Sequence, residues 1–253
     1  MSVFQLALDA HILVGTVVLA SFWAAALAAK GGTVHRRAGR VYALAMAALL
    51  TLTLVLAVGM VLDGDPRRAT YAVYVSLTSV ASVWIAWSSV AYKHDIARYL
   101  GWPYKGLCAA LFAYGLFVLS LAPRMPSPAR SALVAAFGVL GLSIATAMAW
   151  RLIKRDDSPR WWLAEHLTGM GINFAATHAS FSILAGSSVF PALKEPWVRT
   201  GILVAWMSSA LFVRIWAGRR FLRHGARSKL TIGAAPPAAT GAAPRVVGAA
   251  QNQ

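Results

Sequence analysis

The chain of 253 residues is too apolar for a soluble domain, since 58% of its residues are hydrophobic and 13% are charged, against roughly 25% charged in soluble domains. Apolar runs of about 18 or more residues favour membrane helices over one large buried core. The formal net charge of +16 comes from basic residues that flank these runs, which indicates membrane topology and argues against a nucleic-acid partner. The single cysteine, Cys108, excludes an intrachain disulfide and a zinc cluster of cysteines.

Seven apolar segments predict an all-α fold, a polytopic membrane helix bundle of about seven transmembrane helices. No Lys or Arg precedes Lys30, so the first segment is predicted to be a retained helix, because a cleaved signal peptide has a positive start. Polar connectors with Gly, Pro and charge separate the segments, among them a basic turn at residues 30–40. The predicted helices cover residues 12–29, 41–62, 70–92, 107–122, 129–150, 161–190 and 197–217.

The end of the chain has a different composition. Residues 225–253 are rich in Ala, Pro and Gly, a composition that cannot bury a core. We therefore predict a transmembrane bundle over residues 1–224 and a disordered cytoplasmic tail over residues 225–253.

The Lys and Arg residues concentrate on alternate connectors. The connectors after the first, third, fifth and seventh predicted helices hold most of them, and the other connectors hold only Arg67, Arg68, Arg124, Arg130, Lys194 and Arg199. Cytoplasmic loops carry the excess of basic residues in membrane proteins. The bias therefore predicts the N-terminus outside and the C-terminus in the cytoplasm.

The sixth predicted helix contains an unusual number of polar residues. His166, Asn173, Thr177, His178 and Ser180 lie within an otherwise apolar run. Asn173, Thr177 and Ser180 follow i, i+4, i+7 spacing and share one helical face. Polar side chains at membrane depth are costly unless they are paired, and by default they mark a working site. This face is therefore predicted to line protein or a polar cavity.

Histidine is the ligand type that the predicted membrane region offers for a cofactor. The acidic residues lie at predicted helix ends or in connectors, so a carboxylate-based proton relay is not indicated. His11 lies 19 residues before Lys30, and His178 lies 18 residues after Arg160. At the rise of an α-helix these separations are about 28 and 27 Å, which places His11 and His178 at similar depth.

Two layers of histidine result from this count. His11 and His178 form the outer layer, and His35 and His166 lie near the basic boundary as the inner layer. Paired imidazoles in an apolar bundle suit axial ligation of haem b, so all four are candidate cofactor ligands, with His11 and His178 as the first candidates for the iron.

Other interpretations of these histidines stay open. His166 and His178 are 12 residues apart, which rotates them roughly 120° from each other on a helix. His35 lies among Arg36, Arg37 and Arg40, a setting that is also typical of an interfacial residue facing lipid phosphates.

Three parts of the chain resemble a known family. His11 with Gly15, the segment KGGTVHRRAGRVYALAM and the segment EHLTGMGINFAATHASF are similar to a family of bacterial integral membrane proteins classified as domain of unknown function 2306. The likeness implies a multi-pass protein of the bacterial cytoplasmic (inner) membrane and brings no established activity. A looser similarity, in helix count and histidine layering, links the chain to two-haem transmembrane cytochromes b.

The leading functional hypothesis is a membrane protein that binds haem b and passes electrons, to or from a quinone or another membrane subunit. The first alternative is a small-solute transporter with a polar cavity around the sixth predicted helix. Its lining would include Asn173, Thr177, His178 and Ser180 together with the serines of the third predicted helix, among them Ser82, Ser88 and Ser89. An accessory subunit of a larger membrane complex is a further alternative. Whether the chain catalyses a reaction is left open.

Overall fold

The computed structural model describes residues 2–155, 158–184, 186 and 190–219, and these residues contain helices and no strands. Two short 3-10 turns cover Ala122–Arg124 and Pro191–Lys194. The helices are α1 (Val3–Leu27), α2 (Thr33–Leu62), α3 (Pro66–Ala91), α4 (Ile96–Tyr99), α5 (Trp102–Leu121), α6 (Pro128–Lys154), α7 (Trp161–Leu184) and α8 (Pro196–Ala217).

Six helical segments of the described chain are long and apolar enough to cross a membrane. They are α1, α2, α3, α6, α8 and the segment Ile96–Arg124, which joins α4, α5 and the following 3-10 turn. The remaining long helix, α7, has 24 residues but carries the polar side chains noted above, which lower its mean hydropathy. The prediction of an all-helical bundle with helices compatible with a multi-pass membrane protein is therefore confirmed.

Several helices begin earlier than the hydrophobic pattern predicts. Ser2 caps α1, accepting a hydrogen bond from the Gln5 amide at 3.1 Å, so the helix starts nine residues before the predicted position 12. The predicted basic turn at residues 30–40 is wrong over most of its length, because α2 begins at Thr33, two residues after Gly31 with its φ of 75°. The hydrophobic pattern starts too late in both helices, since Gln5 and Asp9 interrupt it in α1 and basic residues interrupt it in α2, while the backbone is already helical.

Helix α3 lies at the centre of the bundle. It packs on α2, α5 and α7, and 56% of its most apolar window is buried, against 17% to 33% in the other candidate spans. The closest approach to α7 occurs at Gly169, where an added Cβ would lie 2.5 Å from the Ser82 carbonyl oxygen and 2.7 Å from the Ala86 amide nitrogen. Small residues allow such contact between membrane helices.

The contacts of α7 differ on its two sides. It packs closely on α3 and α8, whereas few of its backbone positions approach α1 or α2. Long side chains connect it to those two helices instead, among them Phe22 and Phe174, whose rings stack with centroids 5.6 Å apart. The boundary predicted between residues 224 and 225 lies outside the described residues.

Candidate functional site

Two of the predicted cofactor ligands come together near the start of α2 and of α7. The ring centroids of His35 and His166 are 6.4 Å apart, with an angle of 72° between the ring planes. His35 reaches this position because α2 already begins at Thr33. Both imidazoles are only partly accessible. The structure therefore brings together the pair that the sequence placed in the inner layer.

Hydrogen bonds to the backbone orient both rings. The Nδ1 atom of His35 lies 2.9 Å from the carbonyl oxygen of Ala25, and that of His166 lies 2.9 Å from the carbonyl oxygen of Ala86. A carbonyl oxygen only accepts, so each Nδ1 carries the proton and each Nε2 keeps a free lone pair. Metal-ligating histidines typically have this arrangement, in which the second ring nitrogen is fixed by a backbone carbonyl.

A lysine lies beside this histidine pair. Lys30 donates to the carbonyl oxygens of Ala25 and Ala26 at the end of α1, and Ala25 also accepts from His35. Its ammonium group is near enough to act electrostatically on His166. Partial burial lowers the pKa of Lys30 below its ordinary value. The histidine pair thus has a cation at its edge.

The predicted outer pair of His11 and His178 is not formed, and this prediction is wrong. His11 lies in the third turn of α1, with its Nδ1 3.4 Å from the Thr53 hydroxyl of α2. His178 contacts Trp23 of α1. Trp23 lies 12 residues after His11, which corresponds to about 18 Å along the helix axis. Two imidazoles on one iron have to face the same atom. The depth count failed because it measured each helix from a basic residue and not from contacts between helices.

His178 is instead a structural residue within an aromatic cluster. The Trp23 indole donates a hydrogen bond to the Nε2 of His178 at 3.0 Å. The Nδ1 of His178 donates to the Phe174 carbonyl at 2.8 Å. The rings of Phe22, Trp23, Phe174 and Trp206 have centroids between 4.5 and 5.8 Å from the imidazole centroid. Both ring nitrogens are therefore in use, and the side chain joins α1, α7 and α8.

We expect Trp23→Phe to lower the free energy of unfolding by about 2 kcal/mol, because it leaves the buried Nε2 acceptor of His178 without its donor. The denaturation midpoint in detergent measures the change. Trp197→Phe is the matched control, since Trp197 is 61% exposed. Equal midpoints for the two variants would show that the indole–imidazole bond contributes nothing.

The predicted cavity residues lie on the face of α7 that also carries His166. Asn173 is fully buried and donates from Nδ2 to the Gly169 carbonyl at 3.2 Å. Thr177 interacts with the Tyr42 hydroxyl of α2, and Ser180 is half-buried one turn farther. The two best-formed concavities of the described surface, one on α6 and one between α7 and α8, do not include any of these three residues.

The sequence interpretation missed a buried charged cluster beside the histidine pair. Glu165 pairs with Arg151 of α6 at 3.5 Å and accepts a hydrogen bond from the Tyr99 hydroxyl at 2.8 Å. The Arg151 guanidinium also lies over the Trp161 ring at 5.4 Å. In the sequence, Arg151 is one of the basic residues of the connectors, and Glu165 is one of the acidic residues at predicted helix ends, so neither stands out. The cluster anchors the first turns of α7, which carry His166, to α4 and α6.

The donor set limits the kind of cofactor. Within the described ranges, no group of three or more His, Cys, Asp or Glu side chains could hold a bare metal ion. Imidazole is a common ligand of metal ions and of haem iron, and the pair offers two imidazoles with ring centroids 6.4 Å apart. Comparison with protein-family models, curated proteins and solved structures finds no match for this chain. Function is accordingly inferred from the residues of the site.

Proposed function

We propose that this chain is a multi-pass membrane protein that binds one haem b through His35 and His166 and passes electrons to or from a quinone or another membrane subunit. The observation that carries the proposal is the neighbouring imidazole pair, in which both Nδ1 atoms are held by carbonyls and both Nε2 atoms keep lone pairs. A bound haem would supply reversible one-electron chemistry. His35 and His166 would hold it, and the carbonyls of Ala25 and Ala86 orient their rings.

The spacing of the rings supports this ligand assignment. An imidazole nitrogen lies about 2 Å from a metal that it ligates, and the ring centre lies roughly 1 Å beyond it, so two trans ligands have centroids roughly 6 Å apart. The observed separation is 6.4 Å. The centroid separation of His35 and His166 is thus in the range that two histidine ligands of one iron would require.

The packing around the pair also supports a flat, apolar ligand. Helices α2 and α7 meet mainly through side chains, whereas each packs closely on α3. Ala26 and Met170, which lie next to the pair on α1 and α7, belong to an apolar cluster with Phe22 and Tyr42. A macrocycle between α2 and α7 would displace side-chain contacts and leave the close helix seams intact.

The charge at the edge of the pair supports a ligand with carboxylates. Lys30 lies beside His166, and the exposed Arg36 and Arg40 follow in the first turns of α2. Lysine and arginine form charge-assisted hydrogen bonds with carboxylates, such as the two propionates of haem b. The Lys30 ammonium group itself donates to backbone carbonyls at the end of α1.

An absorption spectrum tests the proposal. The full chain, produced with ample haem and purified in detergent, is expected to show a Soret band and about one haem per protein, because the described part of the chain forms one histidine pair. A pyridine haemochrome assay measures the ratio. Purified protein without a Soret band would refute the function.

The alternating basic connectors lead us to propose further that the N-terminus faces outward and that the histidine pair lies toward the cytoplasm. In intact cells, a membrane-impermeant maleimide should label Asp63→Cys, whereas Lys93→Cys should react only after permeabilisation. Both sites are exposed, and the native Cys108 is buried. Labelling of both variants from the same side would contradict the arrangement.

A further inference from the structure

The buried amide of Asn173 has an unused hydrogen-bond acceptor. Its side chain has 0% exposure, and its Nδ2 donates to the Gly169 carbonyl at 3.2 Å. Among the residues that the structure describes, none donates to Oδ1. A buried acceptor without a donor costs about 1–3 kcal/mol in proteins, and more in a hydrocarbon surrounding. The position therefore favours a bound group that donates.

A second polar group with unused capacity lies on the facing helix. Tyr42 of α2 is 4% exposed, and its hydroxyl interacts with Thr177 without reaching full hydrogen-bond geometry to any described group. Thr177 lies one turn beyond Asn173 on the same face of α7, and such neighbours have Cβ atoms about 6 Å apart. The interaction with Thr177 thus places the Tyr42 hydroxyl within about one helical turn of Asn173.

The surroundings limit what that group is. Apolar Phe22, Met46 and Phe174 share a cluster with Tyr42, and the polar groups that Asn173 and Tyr42 contact, the Gly169 carbonyl and the Thr177 side chain, are uncharged. A small, neutral molecule that both donates and accepts fits these requirements. Water does so, and buried water typically makes about three hydrogen bonds to polar groups of this kind.

We propose that Asn173, Thr177 and Tyr42 form a binding site for water at membrane depth between α2 and α7. Water donates to the Asn173 Oδ1 and exchanges a hydrogen bond with the Tyr42 hydroxyl, which links the two helices where their backbones do not pack. Tyr42 and Asn173 each lie seven residues, about two helical turns, after the histidine of the same helix, so the water site and the proposed haem site occupy different positions between α2 and α7.

Hydroxyl-radical footprinting by X-ray radiolysis in ¹⁸O-labelled water tests the site in the full chain in lipid nanodiscs. Met46 lies one turn from Tyr42 in the same cluster, and Met148 lies in a cluster around Ile144 and Leu111. Both methionines are 2% exposed, so equally buried sulfurs are compared. We expect several-fold faster ¹⁸O incorporation at Met46. Equal rates at the two methionines would overturn the proposal.

Two variants identify the residues that hold the water. Asn173→Leu and Tyr42→Phe are each expected to reduce labelling of Met46 to the rate of Met148. Ser143→Ala is the control, since the Ser143 hydroxyl is exposed and bonds to its own helix at the Val139 carbonyl. Unchanged Met46 labelling in both site variants would overturn the assignment. If Asn173→Leu does not fold, Tyr42→Phe alone decides between these outcomes.

Discussion

Replacement of His35 or His166 by Ala is expected to abolish the Soret band, with haem content falling more than about tenfold, since loss of even an outer partner of a metal ligand costs about 10–100-fold in affinity. Each variant removes one of two neighbouring imidazoles, and within the described ranges no group of three or more candidate metal ligands includes another histidine beside them. Haem content per purified protein measures the loss.

The remaining histidines provide the controls for this experiment. His94→Ala should keep the full haem content, because His94 is exposed in the connector after α3. His11→Ala and His178→Ala should keep it as well, although His178→Ala is expected to lower stability through the lost aromatic cluster. Added imidazole should restore the Soret band of His35→Ala, since it supplies the missing ligand. Loss of haem from His11→Ala and His178→Ala together, with His35→Ala unaffected, would contradict the assigned pair.

Gly169→Ala is expected to cause the largest loss of stability, about 3 kcal/mol, at the upper end of the range for an overpacked core. The added methyl group would meet the Ser82 carbonyl oxygen and the Ala86 amide nitrogen at less than 3 Å. Both are backbone atoms, so no rotamer change relieves the overlap, and α7 has to move away from α3. The denaturation midpoint in detergent measures the loss.

A second glycine in a helix gives the matched comparison. A Cβ at Gly201 of α8 meets no atom within 4 Å, so Gly201→Ala should be neutral or slightly stabilising because alanine is the better helix former. The movement of α7 should also lower haem content in Gly169→Ala, since His166 lies one turn away and bonds to the Ala86 carbonyl. Equal midpoints for the two variants would show that α3 and α7 are not as close as described.

Helix positions were predicted well from local composition, but helix starts were not. The apolar runs identify each long helix because a membrane span requires continuous apolar residues. The first turns of α1, α2 and α3 escape that signal, since they depend on caps such as Ser2 and Asp65 and on the bend at Gly31. For the site this matters most at His35, which the sequence placed in a turn and the structure places in a helix.

The candidate site was predicted in residue type and only in part in pairing. The sequence placed His35 and His166 in one layer, and the structure brings them together. The sequence also placed His11 and His178 in one layer. In the structure they are apart, because His11 contacts Thr53 and His178 contacts Trp23. Counting along each helix gives depth only if the helices start at a common level and run without tilt, and no sequence feature reports either condition.

The sequence by itself determined the class of protein, because hydropathy, charge placement and the absence of a cysteine framework are properties of the chain order alone. It also determined which side chains at membrane depth need partners, since the cost of burying a polar group depends on its chemistry. Only the tertiary structure decided which partners they have. The tautomers of His35, His166 and His178, the Arg151–Glu165 pair and the unused oxygen of Asn173 all arise from contacts between residues far apart in sequence. Such contacts depend on helix rotation and spacing, which are set by the packing of small residues such as Gly169 against the next helix.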